Sequence, residues 1–346
     1  MYSFKNDYSE GAHPLLLQAL IDNNLENNAG YGLDKHSLFA AELIQKHLGD
    51  TFSKIYFLAG GTQTNLLVSA AFLRPHQAIV SAYTGHINTH EAGAIETTGH
   101  KVLAVNSPNG KLTPKLIQNI LDEHGDEHMV QPKLVYISNA TEIGTIYNKK
   151  ELSALHHFCK LNNLLLYMDG ARIGNALCSA DNDLTLGCIA KLVDAFYIGA
   201  TKNGALNGEA LVICKESLCD DFRYIMKQRG ALTAKGFVIG CQFETLFKND
   251  LYFELSNHAN SMAMILQEGI KQLKYDFLIT SSTNQIFPIF PYSLINILEN
   301  DFEFYIWQKI DEHFAAIRLV TSWATKPETV YMFLDSIKNA ISKDQF

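Results

Sequence analysis

The segment Leu164-Leu165-Leu166-Tyr167-Met168-Asp169-Gly170-Ala171-Arg172 contains an apolar strand that delivers an acidic residue to its carboxyl end. A continuous apolar run of this kind is typical of a strand covered on both faces in a parallel sheet. Ligands of open α/β sheets bind at that edge, and a carboxylate beside an apolar core needs a cation or a hydrogen-bond donor. We therefore predict a ligand-site role for Asp169, with a helix cap or an ion pair with Arg172 as the structural alternative.

Similar apolar runs recur along the first two thirds of the chain, between segments with helical patterns. Together they predict an α/β fold whose large domain, residues 1–230, has a mainly parallel seven-stranded sheet between helices. Longer helices and mixed structure after residue 215 predict a smaller α+β C-terminal domain, residues 231–346. The strands are predicted at Lys54 to Leu58, Ala78 to Ala82, Lys101 to Val105, Lys133 to Ser138, Leu164 to Met168, Asp194 to Ile198 and Ala210 to Cys214. The later helices are predicted at Glu216 to Met226, Lys235 to Phe247 and Asn257 to Leu273.

Composition excludes several classes of function. The 346 residues are 47% hydrophobic and carry a net charge of -8 without a long run of Lys or Arg, so nucleic-acid binding is not expected. No apolar run is long enough for a membrane helix and the start does not resemble a signal peptide, so we expect a cytoplasmic protein and no membrane partner. The six cysteines are scattered and are interpreted as reduced thiols, and no ligand cluster predicts a metal site.

A second strand, Ala195 to Ile198, runs into the small-residue turn Gly199-Ala200-Thr201-Lys202-Asn203-Gly204. Small residues leave room for a ligand around the lysine, whereas a lysine without such a setting is usually a solvated surface charge. The interval between Asp169 and Lys202 accommodates one helix and one strand. Both side chains can therefore lie on the same edge of the sheet.

The segment Leu58-Ala59-Gly60-Gly61-Thr62-Gln63-Thr64-Asn65 is a strand end, a glycine turn and the start of an apolar helix. Backbone N–H groups at such a turn converge on an anion, and the helix N-terminus adds partial positive charge. A helix cap with flexible glycines is the structural alternative. The dinucleotide fingerprint G-x-G-x-x-G and the phosphate loop G-x-x-x-x-G-K-[ST] do not occur in the sequence, which argues against a nicotinamide dehydrogenase or a nucleoside triphosphatase.

These three segments combine a phosphate cradle, an acid for a ring nitrogen and an amine for an aldehyde. Pyridoxal 5'-phosphate (PLP) has all three complementary groups. The acid would keep the pyridine nitrogen protonated, and Lys202 would hold the cofactor as a Schiff base.

With these residues in place, the sequence resembles the fold-type-I PLP enzymes, and among them the group of threonine aldolases and aromatic amino-acid β-eliminating lyases. The resemblance extends over nearly the whole chain, with threonine aldolase as the best fit. It is carried by Gly85-His86-Ile87-Asn88, residues 132–145, Asp169-Gly170-Ala171-Arg172, Gly199-Ala200-Thr201-Lys202-Asn203-Gly204 and Ile317-Arg318-Leu319-Val320-Thr321-Ser322-Trp323.

The resemblance implies a role for each matching residue. It assigns the Schiff base to Lys202, the ring-nitrogen contact to Asp169, the phosphate to Gly61 and Thr62, and stacking on the ring to His86. It also implies a second active-site histidine, two arginines near the cofactor and the substrate carboxylate, and a polar N-terminal motif that reaches the site; these are His128, Arg172 and Arg318, and Asn6 with Asp7. His90, one helical turn from His86, is a further candidate for the same pocket, with a position on the surface as the alternative.

Some positions depart from the family pattern, which leaves cofactor binding intact but bears on the substrate. Asn6 stands where serine is expected, Met129 where relatives often have histidine, and Ala140 where proline is frequent. A polar loop around Asn27, Asn28, Tyr31 and Gly32 resembles family segments at the subunit interface, which implies a homodimer or homotetramer with active sites at that interface.

The implied reaction is the cleavage of a β-hydroxy-α-amino acid, threonine or allo-threonine, to glycine and an aldehyde. His86, His128 or a water they hold are the alternatives for the base that takes the β-hydroxyl proton. A β-eliminating lyase acting on an aromatic or sulfur amino acid is the competing activity, and a noncatalytic anion-binding protein is the alternative from another class.

Overall fold

The computed structural model describes residues 1–342 of the chain. Its strands are β1 (Tyr2–Ser3), β2 (Lys54–Leu58), β3 (Gln77–Ala82), β4 (Val102–Val105), β5 (Gln131–Ser138), β6 (Leu165–Asp169), β7 (Ala195–Gly199), β8 (Glu209–Ile213), β9 (Gln285–Ile286), β10 (Ile289–Pro291), β11 (Phe302–Glu303), β12 (Tyr305–Lys309) and β13 (Phe314–Val320). Its α-helices are α1 (Pro14–Asp22), α2 (Lys35–Leu48), α3 (Gly61–Phe72), α4 (His86–Thr89), α5 (Pro114–Glu123), α6 (Lys149–Leu161), α7 (Ile173–Leu177), α8 (Leu186–Leu192), α9 (Phe222–Gln228), α10 (Phe237–Lys248), α11 (Leu251–Gln272), α12 (Tyr292–Leu298) and α13 (Pro327–Ser342).

Seven of these strands form the large sheet within residues 1–342, in the order β2-β8-β7-β6-β5-β3-β4. Strand β8 runs antiparallel to its neighbours β2 and β7, and the pairs from β7 to β4 are parallel. This confirms the predicted α/β class and the mainly parallel seven-stranded sheet, because each strand begins and ends within about two residues of its predicted position.

Local sequence explains where several helices begin. Helix α6 starts with a capping box, in which the Asn148 side chain accepts from the Glu151 backbone N–H and the Glu151 side chain accepts from that of Asn148. The predicted helix from Glu216 to Met226 is instead split into a short 3₁₀ helix, Glu216–Leu218, and α9. The backbone of Asp221 adopts a left-handed conformation (φ 55°) at the start of α9, which interrupts a continuous helix.

Helices cover both faces of the large sheet. One face packs on α2, α6, α8 and α10, and the other packs on α3 and α9. The smaller sheet, built from β9, β10, β12 and β13, packs on α11, α12 and α13 and forms a separate core. Within residues 1–342 no helix has the length and apolar character needed to cross a membrane.

The division between the two cores does not fall at the predicted 230/231 boundary. Ile239 and Phe243 of α10 lie in the core of the large sheet, whereas Met262 and Leu266 of α11 lie in the core of the small domain. At the other end of the chain, Phe4 is buried in the small-domain core. The core thus changes inside α11, because that helix is long enough to contact both domains.

Helix α2 is held against α10 by a buried histidine. The two ring nitrogens of His36 face carboxylates, Nδ1 at 2.6 Å from Glu244 Oε2 and Nε2 at 2.8 Å from Glu26 Oε2. Burial alone would lower the pKa of His36, but the hydrogen bonds to both carboxylates outweigh it and raise the pKa above its usual value. An imidazolium with two carboxylate partners therefore joins α2, α10 and the loop before α2.

The carboxyl ends of β6 and β7 leave no room for a side chain at Gly170. The Gly199 N–H donates to the Gly170 carbonyl at 3.0 Å, and a Cβ on Gly170 would overlap the carbonyl oxygen of Tyr197. Only a residue without a side chain fits between the two chain segments. This close approach brings the end of β6 to the loop that follows β7.

Candidate active site

Asp169 and Lys202 lie on the same edge of the large sheet, as the sequence predicts. Asp169 is the last residue of β6, and Lys202 lies in the loop directly after β7. Asp169 is paired in register with Ser138, the last residue of β5. The ends of three neighbouring parallel strands therefore form the floor of the site.

The carboxylate of Asp169 is buried and accepts hydrogen bonds from four donors. Its Oδ1 accepts from the Tyr197 hydroxyl at 2.6 Å and the Ala171 N–H at 3.0 Å. Its Oδ2 accepts from the Tyr136 hydroxyl at 2.6 Å and the Asn65 amide at 3.2 Å. Burial opposes ionisation of Asp169, but the charge of His86 and these hydrogen bonds outweigh it and lower the pKa of the carboxyl.

The amine of Lys202 lies among charged side chains at the edge of the sheet. Burial, and next the positive charge of Arg172, hold the pKa of Lys202 below its usual value. Three carboxylates act in the opposite direction without cancelling this effect; they belong to Asp7, Glu142 and Asp169. A lysine with a lowered pKa has a larger fraction of neutral amine, the form that attacks a carbonyl.

His86, at the first position of α4, is joined to Asp169 by a chain of buried polar groups. Its Nδ1 lies 2.9 Å from Glu91 Oε1, which also accepts from the Asn65 amide at 2.7 Å. Burial lowers the pKa of His86, but the Glu91 hydrogen bond, together with nearby carboxylates, outweighs it and raises the pKa. The partner at Nδ1 fixes the orientation of the ring and leaves Nε2 for another group.

His90 follows α4 and is exposed, with its ring centroid 5.6 Å from that of His86. Burial of part of the ring lowers the pKa of His90. The structure thus places His90 beside His86 at the outer margin of the site.

Gly61 and Thr62 form the first turn of α3, which is twelve residues long. The N-cap residue is Gly60, which has no side chain to accept a hydrogen bond. The first backbone N–H groups of the helix are therefore not capped by a side chain. A Cβ on Gly61 would lie 2.9 Å from the Tyr197 hydroxyl oxygen. The helix N-terminus therefore directs its donors and its positive dipole end toward the floor of the site, as an anion requires.

The two predicted arginines have different surroundings, and the first is Arg172. It is buried and makes a bidentate ion pair with Asp7, with Nε at 2.7 Å from Oδ2 and Nη2 at 2.9 Å from Oδ1. Asn284 donates to the same carboxylate at 2.9 Å. Asn6 does not contact Arg172; its Oδ1 accepts from Tyr8 and Ser9 and so forms the turn that directs Asp7 inward.

The second arginine, Arg318 of β13, has fewer polar partners. Its Cζ lies 5.5 Å from the ring centroid of Tyr305 and 5.0 Å from that of Trp307, and Nη2 donates to the Lys5 carbonyl at 3.1 Å. Its Nε is buried and has no hydrogen-bond partner among the described residues. Aromatic stacking positions the guanidinium while leaving donors for an anionic ligand.

The structure does not bring His128 to this site. His128 lies in an exposed loop before β5, and its backbone N–H donates to Asp126. That loop is at the amino end of β5, whereas Asp169 and Lys202 lie at the carboxyl ends of the strands. A parallel sheet separates these two edges by the length of a strand. Within residues 1–342, no group of three or more His, Cys, Asp or Glu side chains is arranged to hold a metal ion.

Several groups at the site were missed by the sequence analysis. Tyr136 and Tyr197 lie in predicted strands, and Asn65 ends the glycine-turn segment, but the sequence assigns none of them a role. Glu91 lies in a segment without a motif. Only strand register and helix packing reveal them. Asp7 belongs to the predicted N-terminal motif, but its partner Arg172 lies 165 residues away in the sequence, and no local pattern predicts the pairing.

Comparisons with known proteins agree with this geometry. The sequence profile of the beta-eliminating lyase family matches residues 14–290. A threonine aldolase from Leishmania major is 47% identical, with a TM-score of 0.97 over 99% of this chain and 100% of that one. A low-specificity L-threonine aldolase from Pseudomonas aeruginosa is 34% identical over 273 residues, which is 77% of each protein.

A Thermus thermophilus aspartate aminotransferase has the same fold, with a TM-score of 0.74 at 14% identity. These similarities confirm the fold-type-I architecture expected from the sequence. Together with the profile match, they show that the chain belongs to the beta-eliminating lyase family.

Proposed function

We propose that this protein is a PLP-dependent aldolase that cleaves threonine or allo-threonine to glycine and acetaldehyde. The observation that carries the proposal is the position of Lys202 and Asp169 at one edge of the sheet, where Asp169 contacts Asn65 of α3. The partly unpaired Arg318 lies close enough to Arg172 and Asp7 to interact with their charges. The relatives named as threonine aldolases support this choice of reaction over β-elimination.

The residues at the site fit PLP. The uncapped N-terminus of α3 suits its phosphate, the ionised Asp169 suits a protonated ring nitrogen, and Lys202 suits its aldehyde. Gly61 leaves open the space that a side chain would fill. When bound, PLP supplies an aldehyde that takes up an amino group and a protonated ring that accepts the electrons of the broken bond.

Arg318 binds the substrate carboxylate in this proposal. Its buried Nε has no partner among the described residues, and a carboxylate is the acceptor that a guanidinium pairs with best. Arg172 has a different task, because Asp7 already occupies its Nε and Nη2. It holds the N-terminal arm in place and contributes positive charge beside Lys202.

His86 takes the proton of the β-hydroxyl group at Nε2. Of the two predicted histidines, His86 lies at the site and His128 does not. Glu91 faces Nδ1 and so fixes the tautomer in which Nε2 is the acceptor. Because the pKa of His86 is raised, the neutral base becomes more abundant toward alkaline pH, and the cleavage rate is expected to rise in that direction.

The test is an absorption spectrum of the purified protein with PLP, followed by addition of L-allo-threonine. We expect a near-visible band that is lost on borohydride reduction and is absent in Lys202→Ala, with glycine and acetaldehyde as products. Lys215→Ala removes an exposed lysine paired with Asp194 and is the matched control that retains the band. Pyruvate in place of acetaldehyde would move the assignment to a β-eliminating lyase, and a protein without the band would refute the cofactor.

We also propose that the protein is a homodimer or homotetramer, with active sites at the subunit interface. Support comes from apolar side chains exposed around the predicted interface loop, which a monomer would leave in water. They include Ile21, Leu25, Tyr31, Leu33 and Leu38. Light scattering is expected to give a dimer or tetramer mass, and Leu33→Glu is expected to shift it toward the monomer. A cytoplasmic location stays a prediction.

A further inference from the structure

Three buried tyrosines lie in a row beneath the candidate cofactor site. Tyr136, Tyr167 and Tyr197 belong to the neighbouring strands β5, β6 and β7 and are each at most 2% exposed. They lie on the same face of the sheet, in the core formed with α3. Tyr136 and Tyr167 are register partners with ring centroids 6.0 Å apart.

The three hydroxyl groups have different acceptors. The Tyr136 and Tyr197 hydroxyls donate to opposite oxygens of Asp169, each at 2.6 Å. The Tyr167 hydroxyl donates to Asn65 Oδ1 at 2.9 Å and makes no hydrogen bond to Asp169. Burial, and next the charge of Asp169, raise the pKa of both Tyr136 and Tyr197 well above the usual value, so both phenols stay protonated donors.

We infer that Tyr136 and Tyr197 are positioning residues for the cofactor ring, because their hydroxyls hold Asp169 ionised and fix the direction of its carboxylate. The inference rests on the proposed PLP chemistry, since Asp169 acts there on the ring nitrogen. Neither tyrosine needs to touch the substrate or the bond that breaks.

The hydrogen-bond geometry explains how Asp169 can bind the ring nitrogen of the cofactor while the two phenols hold its carboxylate in place. An ionised carboxylate has about four lone-pair positions, and the four protein donors fill them. The Asn65 amide is the longest of these contacts, at 3.2 Å, and it already has a shorter one, at 2.7 Å, to Glu91. A ring N–H can therefore replace Asn65 without breaking either phenol hydrogen bond.

Other charged groups around Asp169 do not make the phenols redundant. His86 favours ionisation of Asp169, and Lys202 lies close enough to interact with it. Glu91 accepts from the same Asn65 amide nitrogen that contacts Asp169, and burial raises the pKa of Glu209 to about 8. The two phenols make the shortest contacts to the two oxygens, each at 2.6 Å, and carry no charge of their own.

The experiment measures the dissociation constant of PLP by fluorescence titration of the apoprotein, from about pH 8 down to about pH 5, above the reference pKa of an aspartate. The variants are Tyr136→Phe and Tyr197→Phe, with Tyr167→Phe as the matched control. Each of the three variants loses one buried hydroxyl from the same row. The control, however, keeps the hydrogen bonds that the Tyr136 and Tyr197 hydroxyls donate to Asp169.

We expect Tyr136→Phe and Tyr197→Phe to bind PLP about tenfold more weakly than Tyr167→Phe near pH 8, because a hydrogen bond to a charged group is lost. The gap widens as the pH falls, since removal of a phenol raises the pKa of Asp169 and the carboxylate is protonated earlier. Thermal unfolding of the three apoproteins is expected to change by similar amounts, which separates the effect from a general loss of stability.

The inference is overturned if both variants follow Tyr167→Phe at every pH. The two tyrosines are tested independently, so one variant that does not fold leaves the other to decide. A wild-type protein that binds no PLP at all would overturn the proposed function, and this inference with it. Normal PLP binding with no difference among the variants would overturn the inference alone.

Discussion

Replacing Asp7 by alanine is expected to destabilise the protein strongly, because it leaves Arg172 buried without its carboxylate partner. The Asp7 side chain is 0% exposed and that of Arg172 is 6% exposed. Three hydrogen bonds to the carboxylate, at 2.7 Å, 2.9 Å and 2.9 Å, are lost together. Breaking a buried ion pair on one side costs about 3–5 kcal/mol, a large part of the roughly 5–15 kcal/mol that a domain of ordinary stability has.

The assay is urea unfolding of the apoprotein, followed by the fluorescence of its two tryptophans. The exposed pair between Lys5 and Glu303, with side chains 35% and 41% exposed, supplies the control. Glu303→Ala is expected to cost about 1 kcal/mol or less, because solvent screens an exposed pair. Asp7→Ala and Glu303→Ala each remove one carboxylate that pairs with a cation. The difference between their free energies of unfolding therefore isolates the effect of burial.

The double variant Asp7→Ala/Arg172→Met tests the reasoning more sharply. Removal of both charges leaves no unpaired buried ion, so the double variant is expected to be more stable than Asp7→Ala alone. Two results would refute the reasoning: a cost below about 1 kcal/mol for Asp7→Ala, or a double variant that loses the sum of both single costs.

The pH dependence of this pair has a definite sign. Burial raises the pKa of Asp7, but the charge of Arg172 outweighs it, so the pKa in the folded protein lies below the usual value. The stability that Asp7 contributes is therefore present above its unfolded pKa of about 3.9 and is lost as the pH falls through the lower folded pKa. The difference between wild type and Asp7→Ala is expected to be constant near neutral pH and to shrink only in acid.

Three further changes test other parts of the structure. His36→Gln is expected to lower the midpoint of urea unfolding most below about pH 6.5, where His36 is charged. The loss should disappear as the pH rises through the raised pKa of His36, and an equal loss at every pH would contradict a charged His36 in the folded protein. Gly170→Ala is expected to abolish folding, seen by circular dichroism, because its Cβ would overlap a carbonyl oxygen, whereas Gly11→Ala, with nothing within 4 Å, stays folded. Trp307→Leu removes the stacking partner at 5.0 Å from Arg318 and is expected to raise KM for L-allo-threonine about fivefold to thirtyfold with a smaller change in kcat; an unchanged KM with a reduced kcat would contradict the assigned role.

The large sheet could be predicted from the sequence because its strands are buried on both faces. Such strands are continuous apolar runs, and the glycines and charged residues between them mark the turns. Asp169 and Lys202 could be placed for the same reason, since Asp169 ends one strand, Lys202 lies in the loop after the next, and neighbouring parallel strands end at one edge. The helix from Glu216 was predicted too long because the left-handed conformation of Asp221 leaves no periodic signal.

The point in the chain where the core of the large domain gives way to the core of the small domain could not be predicted in the same way. Helix α10 is apolar enough for either domain, and only its contacts with α2 and β2 assign it to the large one. His128 was placed at the site by resemblance, although it precedes the predicted strand Lys133 to Ser138 and therefore lies at the amino edge of the sheet. Hydrophobic periodicity records whether a residue is buried, but it does not record which of two cores the residue meets.

The sequence by itself determined the fold class, the positions of the large strands along the chain and the two residues at the centre of the candidate site, because strand patterns and strand ends are local features of the chain. Only the tertiary structure decided which groups surround those residues. The contacts of Arg172 with Asp7 and of Asp169 with Tyr136, Tyr197 and Asn65 join residues that are far apart in the sequence. Such contacts depend on register and packing, which are set when the sheet, the helices and the N-terminal arm come together.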